Sequence, residues 1–176
     1  RGNRLKLNPQ AMIFIDLDET LIQSVVPRRG NIGRRVRVDV DGDPFFVLER
    51  PLAKKILTDC RSLAEVALLT TASRDYAEAM NDRFHFSFAN NRIFARNDFI
   101  LEEEDGGERA IDEKAFPNSI LIDNLPFDSV YPKLKCRFLG IDGSRYFQIR
   151  TFDGKDPEKF ALEWTEIYAR VKELTD

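Results

Sequence analysis

The sequence predicts an α/β domain built on a central parallel β-sheet, and three observations carry that prediction. Continuous apolar runs at residues 11–15 and 66–69, and the stretch Ser119-Ile120-Leu121-Ile122, have the length and composition of strands buried on both faces. Segments with helical spacing stand between and after them, over residues 51–63, 74–84 and from Pro157 onward. Each of the three runs also ends in oxygen-bearing side chains, Asp16 and Asp18, Thr70 and Thr71, Asp123 and Asn124. Ligands of open α/β sheets bind at the carboxyl ends of the strands.

Residues 1–10 are polar and read as a lead-in. After the first strand and its acidic residues comes a stretch rich in Gly, Arg and Asp. Within it Val36-Arg37-Val38-Asp39-Val40 alternates, meets Asp41-Gly42-Asp43, and gives way to Phe45-Phe46-Val47-Leu48. Strand, Asp-Gly turn and strand is a strong hairpin signal. It interrupts the expected strand-to-helix connection, so residues 23–50 are read as a small β-hairpin insertion beside the acidic motif.

Pro51 then opens a helix with Leu52, Ala53, Ile56, Leu57, Cys60 and Leu63 on one stripe. The second buried strand, Val66 to Leu69, precedes a helix that Ser73 caps and that buries Tyr76, Ala77, Met80 and Phe84. A short strand is expected near Ile93-Phe94, and Glu102 to Glu108 reads as an acidic surface loop. The third strand ends in Asp123-Asn124-Leu125-Pro126. Phe138-Leu139-Gly140-Ile141 and Tyr146-Phe147-Gln148-Ile149 read as later strands. A closing amphipathic helix uses Phe160, Trp164, Ile167, Tyr168, Val171 and Leu174.

Composition bounds the function. The 176 residues are 43% hydrophobic with 14 Phe, which fits one globular domain spanning residues 1–176 and excludes disorder. A net charge of −3 supplies no field toward nucleic acid or an anionic membrane, and no apolar stretch is long enough to span one. Cys60 and Cys136 fit neither a metal site nor a disulfide framework; as reduced core thiols they lean toward an intracellular compartment, cytoplasmic or nuclear. His85 is the only histidine, so no His-based catalytic base or zinc cluster can be assembled.

Two readings fit Asp16-Leu17-Asp18-Glu19-Thr20. In one, a strand ends in a polar turn with Asp18 or Thr20 capping the next segment. In the other, the paired carboxylates hold a hard cation such as magnesium, one aspartate attacks phosphorus and its neighbour passes protons. The convergence of three oxygen-rich strand ends favours the second. Asp16 and Asp123 would hold the cation with Asn124 as a neutral ligand, while the Thr71 hydroxyl and helix N-terminal amides suit a phosphate.

These residues resemble the haloacid dehalogenase superfamily of phosphotransferases, whose first motif is Asp, any residue, Asp, any residue, then Thr or Val. More narrowly the chain is similar to the CTD-type, NLI-interacting-factor-like phosphatases. The resemblance rests on Asp16 to Leu21, Leu48-Glu49-Arg50-Pro51, Leu69-Thr70-Thr71-Ala72-Ser73, Ile122-Asp123-Asn124-Leu125-Pro126 and Thr151-Phe152-Asp153-Gly154, in the family's order over residues 10–174. It implies a Rossmann-like domain without a large cap and a magnesium-dependent phosphatase that works through an aspartyl-phosphate. Asp16 would be nucleophile and metal ligand. Asp18 would be general acid and base, lending its backbone carbonyl to the metal. Thr71 would bind phosphate, and Asp123 and Asn124 would complete the metal site.

The family also places a phosphate-binding lysine before the third strand. Here that interval is short and contains Pro117; Lys114 is the candidate and Arg109 the runner-up. The substrate implied is a phosphoserine or phosphothreonine protein or peptide, with the chain a monomer that binds no nucleic acid. Two other readings stay open: a phosphatase-fold module that grips partner segments with little turnover, and a phosphatase for small phosphate esters. Arg28, Arg29, Arg34, Arg35 and Arg37 crowd the hairpin, as a charged solvated edge or as a surface for an acidic or phosphorylated partner.

Overall fold

A computed structural model describes residues 11–25, 33–102, 105–110 and 116–176. In chain order these form β1 (Met12–Ile15), β2 (Ile22–Val25), β3 (Val36–Val40), β4 (Asp43–Glu49), α1 (Ala53–Arg61), β5 (Glu65–Leu69) and α2 (Arg74–Phe84). Next come β6 (Ile93–Phe94), α3 (Arg96–Phe99), β7 (Ile100–Glu102), β8 (Glu108–Ala110), β9 (Ile120–Asp123), α4 (Val130–Leu139), β10 (Tyr146–Gln148) and α5 (Phe160–Thr175).

The central sheet has the order β10-β9-β1-β5-β6, and every neighbouring pair is parallel. Its inner strands are buried on both faces because alternate residues serve two separate cores. Ile13, Ile15, Val66, Leu68, Ile120 and Ile122 pack with Ile56 of α1, Met80 of α2 and Trp164 of α5. The residues between them, Phe14, Ala67, Leu69 and Leu121, pack with Phe99 of α3 and with Leu134, Phe138 and Leu139 of α4. This is the α/β parallel-sheet fold that the sequence predicts. Among the described residues no helix is long and apolar enough to cross a membrane.

The insertion is a three-stranded antiparallel sheet, β2-β4-β3, rather than a lone hairpin. Asp41 and Gly42 both take positive φ, 52° and 85°, which is the backbone an Asp-Gly turn supplies between right-twisted strands. The added strand, Ile22 to Val25, lies along β4 and ties the insertion to the segment that leaves the acidic motif.

Two expectations are corrected. Phe138-Leu139-Gly140 is not a strand. Phe138 and Leu139 are the buried last turn of α4, and Gly140 ends it in the left-handed conformation at φ 74°. A short apolar run before a glycine fits a helix end as well as a strand, and only the contacts with the sheet decide between them. The stretch expected as an acidic surface loop begins and ends in strands: Glu102 of β7 pairs with Glu108 of β8 in a small antiparallel pair. Arg28, Arg29 and Lys114 lie outside the described residues.

Candidate active site

Because β9, β1 and β5 are parallel neighbours, their carboxyl ends lie side by side on one edge of the sheet. Asp123 is the last residue of β9, Asp16 follows the last residue of β1, and Thr70 follows the last of β5. The Asp16 N–H still donates to the Ile122 carbonyl at 3.0 Å, so strand pairing fixes the backbone of the acid itself.

The Asp16 side chain is buried, and so is its partner across the strand end. Lys135 Nζ donates to Asp16 Oδ1 at 2.9 Å and to Asp123 Oδ2 at 2.7 Å. Thr20 Oγ1 donates to Asp16 Oδ2 at 3.0 Å, and the Leu125 N–H to Asp123 Oδ1 at 3.0 Å. Burial dominates the acidity of Asp16 and pushes its carboxyl up to about 7; Lys135 pulls it back and Asp123 adds to the rise. Burial works against the charge on Lys135, but the two facing carboxylates outweigh it and hold the ammonium protonated.

The Asn124 amide sits against the same two acids and can be placed two ways. With its nitrogen toward them it donates to Asp16 Oδ2 at 3.0 Å and Asp123 Oδ1 at 3.3 Å, and its oxygen accepts from Thr151 Oγ1. With its oxygen toward them, three side-chain oxygens converge with no hydrogen between them, a grouping that a hard cation would hold together. Two carboxylates and an amide oxygen therefore fit magnesium as a donor set. Among the described residues no three Asp, Glu, His or Cys side chains form a metal cage on their own.

Strand alternation would set Asp16 and Asp18 on one side, but the chain leaves the strand at Ile15. The N–H groups of Thr20, Leu21 and Ile22 all turn back to the Leu17 carbonyl, and Glu19 takes φ 62°. The two carboxylates end with separate partners. Asp18 Oδ1 accepts a 2.6 Å hydrogen bond from Tyr76 Oη, and Asp18 lines a cavity of about 670 Å³. Burial raises the pKa of its carboxyl, while Tyr76 and Lys135 oppose the rise.

Thr71 lines that cavity together with Ala72 and Ser73 at the start of α2, where Ser73 Oγ caps the helix by accepting from the Tyr76 N–H. Thr70 is buried instead, and its hydroxyl accepts from the Ala72 N–H at 3.1 Å. The insertion supplies Val40, Asp41, Asp43 and Phe45 to one wall, and Leu125 and Tyr131 stand on the β9–α4 side. Among the described residues no arginine lines the cavity; Arg34 and Arg37 are exposed elsewhere on the insertion, with Arg37 paired to Asp39.

A buried arginine locks this edge from behind. Arg50 grips Asp156 with Nε and Nη2, both at 2.9 Å, and donates to the carbonyls of Thr20 and Arg150 at 3.1 and 2.7 Å. Its guanidinium lies over the Phe160 ring, 3.8 Å from the centroid. The Phe152 N–H donates to the Glu19 carbonyl at 2.7 Å, so the stretch after β10 pins the turn that carries Asp18.

The lysine at the acids is neither of the two named from sequence. Arg109 is exposed on β8 and is not among the cavity's lining residues. Lys135 comes from α4, after the third strand of the site rather than before it. The sequence does hold its signal: Tyr131, Lys135, Phe138 and Leu139 share one helical stripe, and a lysine on an apolar stripe needs buried acids. Reading Phe138-Leu139 as a strand hid that stripe.

Comparison with known proteins places this edge in context. The family model of NLI interacting factor-like phosphatases matches residues 11–129, a segment that carries every acid of the site and ends before α4. Two solved structures of the RNA polymerase II CTD phosphatase Fcp1 share the fold. The fission yeast protein, described as an R271A variant bound to beryllium fluoride, is 14% identical with a TM-score of 0.51. A second Fcp1 structure is 15% identical with a TM-score of 0.54. Each covers 97% of this chain, which in turn spans 53% and 50% of theirs. No curated protein sequence matches. With well over half its length matched by that family model, the chain belongs to the NLI interacting factor-like phosphatases, built on the haloacid dehalogenase type of α/β fold.

Proposed function

We propose that this phosphatase is magnesium-dependent and removes phosphate from phosphoserine or phosphothreonine in proteins through an aspartyl-phosphate on Asp16. The observation that carries the reading is one sheet edge that sets Asp18 and Thr71 on a cavity beside the buried carboxylates of Asp16 and Asp123 and the ammonium of Lys135. Such a group places positive charge where a transferring phosphoryl group needs it.

In this reading an Asp16 carboxylate oxygen forms a bond to phosphorus as the ester P–O bond breaks. The electron pair leaves with the ester oxygen, which takes a proton from Asp18. Asp18, now ionised, accepts a proton from water; the hydroxide oxygen bonds to phosphorus and Asp16 is released. Thr71 and the amides that open α2 cradle the phosphate oxygens. Magnesium held by Asp16, the Asp18 carbonyl, Asp123 and Asn124 would supply charge neutralisation on the phosphoryl group.

The cavity supports a segment of a protein as substrate. Its walls are a small three-stranded sheet and the β9–α4 segment, with no large cap among the described residues. Asp18, Glu19, Asp41 and Asp43 line it, which disfavours acidic residues beside the phosphate. One observation favours a second reading, a binding module with little turnover: Lys135 already bridges the two acids that a magnesium ion needs.

Hydrolysis of an aryl phosphate by wild type and Asp16→Asn, each with magnesium and with EDTA, separates the two. The proposal expects activity that requires both the metal and Asp16, then activity on phosphopeptides with basic or neutral flanks above those with acidic flanks. Wild type no better than Asp16→Asn on every substrate, with both proteins folded, would establish the binding module instead.

A further inference from the structure

Asp18 does not stand alone at the cavity. Its Oδ1 accepts from Tyr76 Oη at 2.6 Å, and Tyr76 Oη lies 2.8 Å from Ser24 Oγ. A phenol has one proton. With that proton on Asp18, the Ser24 hydroxyl must donate to Tyr76, so the bonds run in one direction from β2 through α2 to the acid. The Tyr76 ring is buried and meets Phe45 of β4 edge-on, with centroids 5.1 Å apart. Both braces, Ser24 and Phe45, belong to the insertion sheet. The backbone end of Tyr76 is fixed separately, by its N–H on the Ser73 cap of α2.

We propose that Tyr76, braced by Ser24 and Phe45 of the insertion, is the positioning residue that aims the carboxyl of Asp18 at the leaving oxygen of the substrate. This rests on the reading of Asp18 as general acid. A donor fixed on Oδ1 reserves Oδ2 as the oxygen that carries and delivers the proton, and it holds the plane of the carboxyl. The insertion thereby has a role in the reaction as well as forming a wall: it sets the rotamer of the acid through one phenol.

Leaving-group dependence tests this, because a poor leaving group needs the proton and a good one does not. The quantity is kcat/KM, which stops at formation of the aspartyl-phosphate and excludes its hydrolysis. It is measured on an alkyl phosphate, as a phosphoserine peptide, and on an aryl phosphate with a stable phenolate product. General acids contribute about 10²–10⁴-fold, so Asp18→Asn lowers the alkyl-to-aryl ratio by about that much. Tyr76→Phe keeps the ring and its packing on Phe45 and removes only the hydroxyl. It is expected to lower the ratio by about tenfold or more, a partial loss of the same contribution. Ser24→Ala, which removes one hydroxyl from a half-buried strand, is expected to lower the ratio less and in the same direction; it also serves as the test if Tyr76→Phe does not fold.

A purely structural role would lower both substrates alike and leave the ratio fixed. An unchanged ratio in Tyr76→Phe, or in Ser24→Ala if the first variant is unfolded, would overturn the proposal while Asp18→Asn still collapses it. A ratio unmoved by Asp18→Asn would instead remove the general acid reading, and the proposal with it.

Discussion

Replacing Lys135 by methionine tests the charge arrangement at the centre of the site. Methionine nearly conserves the length of the side chain and deletes the ammonium. What remains is two carboxylates whose side chains are 10% and 1% exposed, each with an oxygen that had been within 3 Å of the same nitrogen. Two like charges about 5 Å apart repel by about 3 kcal/mol at an effective dielectric of about 20. That agrees with the about 3–5 kcal/mol lost when one partner of a buried ion pair is removed. The expected loss of stability in EDTA at pH 8 is therefore about 3–5 kcal/mol. Its pH dependence has a definite sign. Asp16 already holds its proton up to about 7 in the folded protein against an ordinary value of 3.8, so its ionisation costs stability as pH rises between those values. Lys135 is what pulls the Asp16 carboxyl down, so without it Asp16 holds its proton to still higher pH, and the gap from wild type narrows as pH falls toward 5. Urea unfolding followed by circular dichroism at the two pH values reads both effects. Magnesium is expected to recover part of the loss by binding the folded state, and so is a second substitution, Asp123→Asn, which removes one of the two charges. A loss below about 1 kcal/mol at pH 8, the same at pH 5, would refute the account of the ammonium as the partner of both acids.

The strut behind the site and the two thiols give further tests. Arg50→Lys keeps the charge but loses the fork on Asp156 and at least one carbonyl contact, and should cost about 2–3 kcal/mol in urea unfolding. It should also lower kcat/KM, because Arg50 holds the Thr20 carbonyl in the turn of the acidic motif; an unchanged urea midpoint would contradict the packing described. Cys60 and Cys136 are buried, and burial pushes both thiols up to about 12. Neither should react with a disulfide reagent at pH 8 until the protein unfolds, and labelling of the native protein within minutes would show that one of these helices opens locally.

Much of the fold is local enough to be read from the chain. The double burial of β1, β5 and β9 shows as unbroken apolar runs, the Asp41-Gly42 turn as the two residues that accept positive φ, and α2 as a serine cap before an apolar stripe. The acids of the site are legible for the same reason: they sit at or just beyond the ends of those strands, and parallel pairing carries them to one edge. The α4 segment was legible only in part, because Phe138-Leu139 before Gly140 satisfies a strand end and a helix end alike. The same ambiguity concealed Lys135, whose meaning depends on which face of a helix it occupies.

The sequence by itself therefore determined the three central strands, helices α1, α2 and α5, and the identity of the acids, because strand alternation, helical periodicity and turn chemistry act within a few residues. Tertiary structure alone decided which cation answers those acids and what holds each one in place. Lys135 reaches Asp16 across a separation of 119 residues, Arg50 reaches Asp156 across 106, and Tyr76 reaches Asp18 across 58. A buried charge must find its partner wherever the fold brings one, and no spacing along the chain encodes that distance.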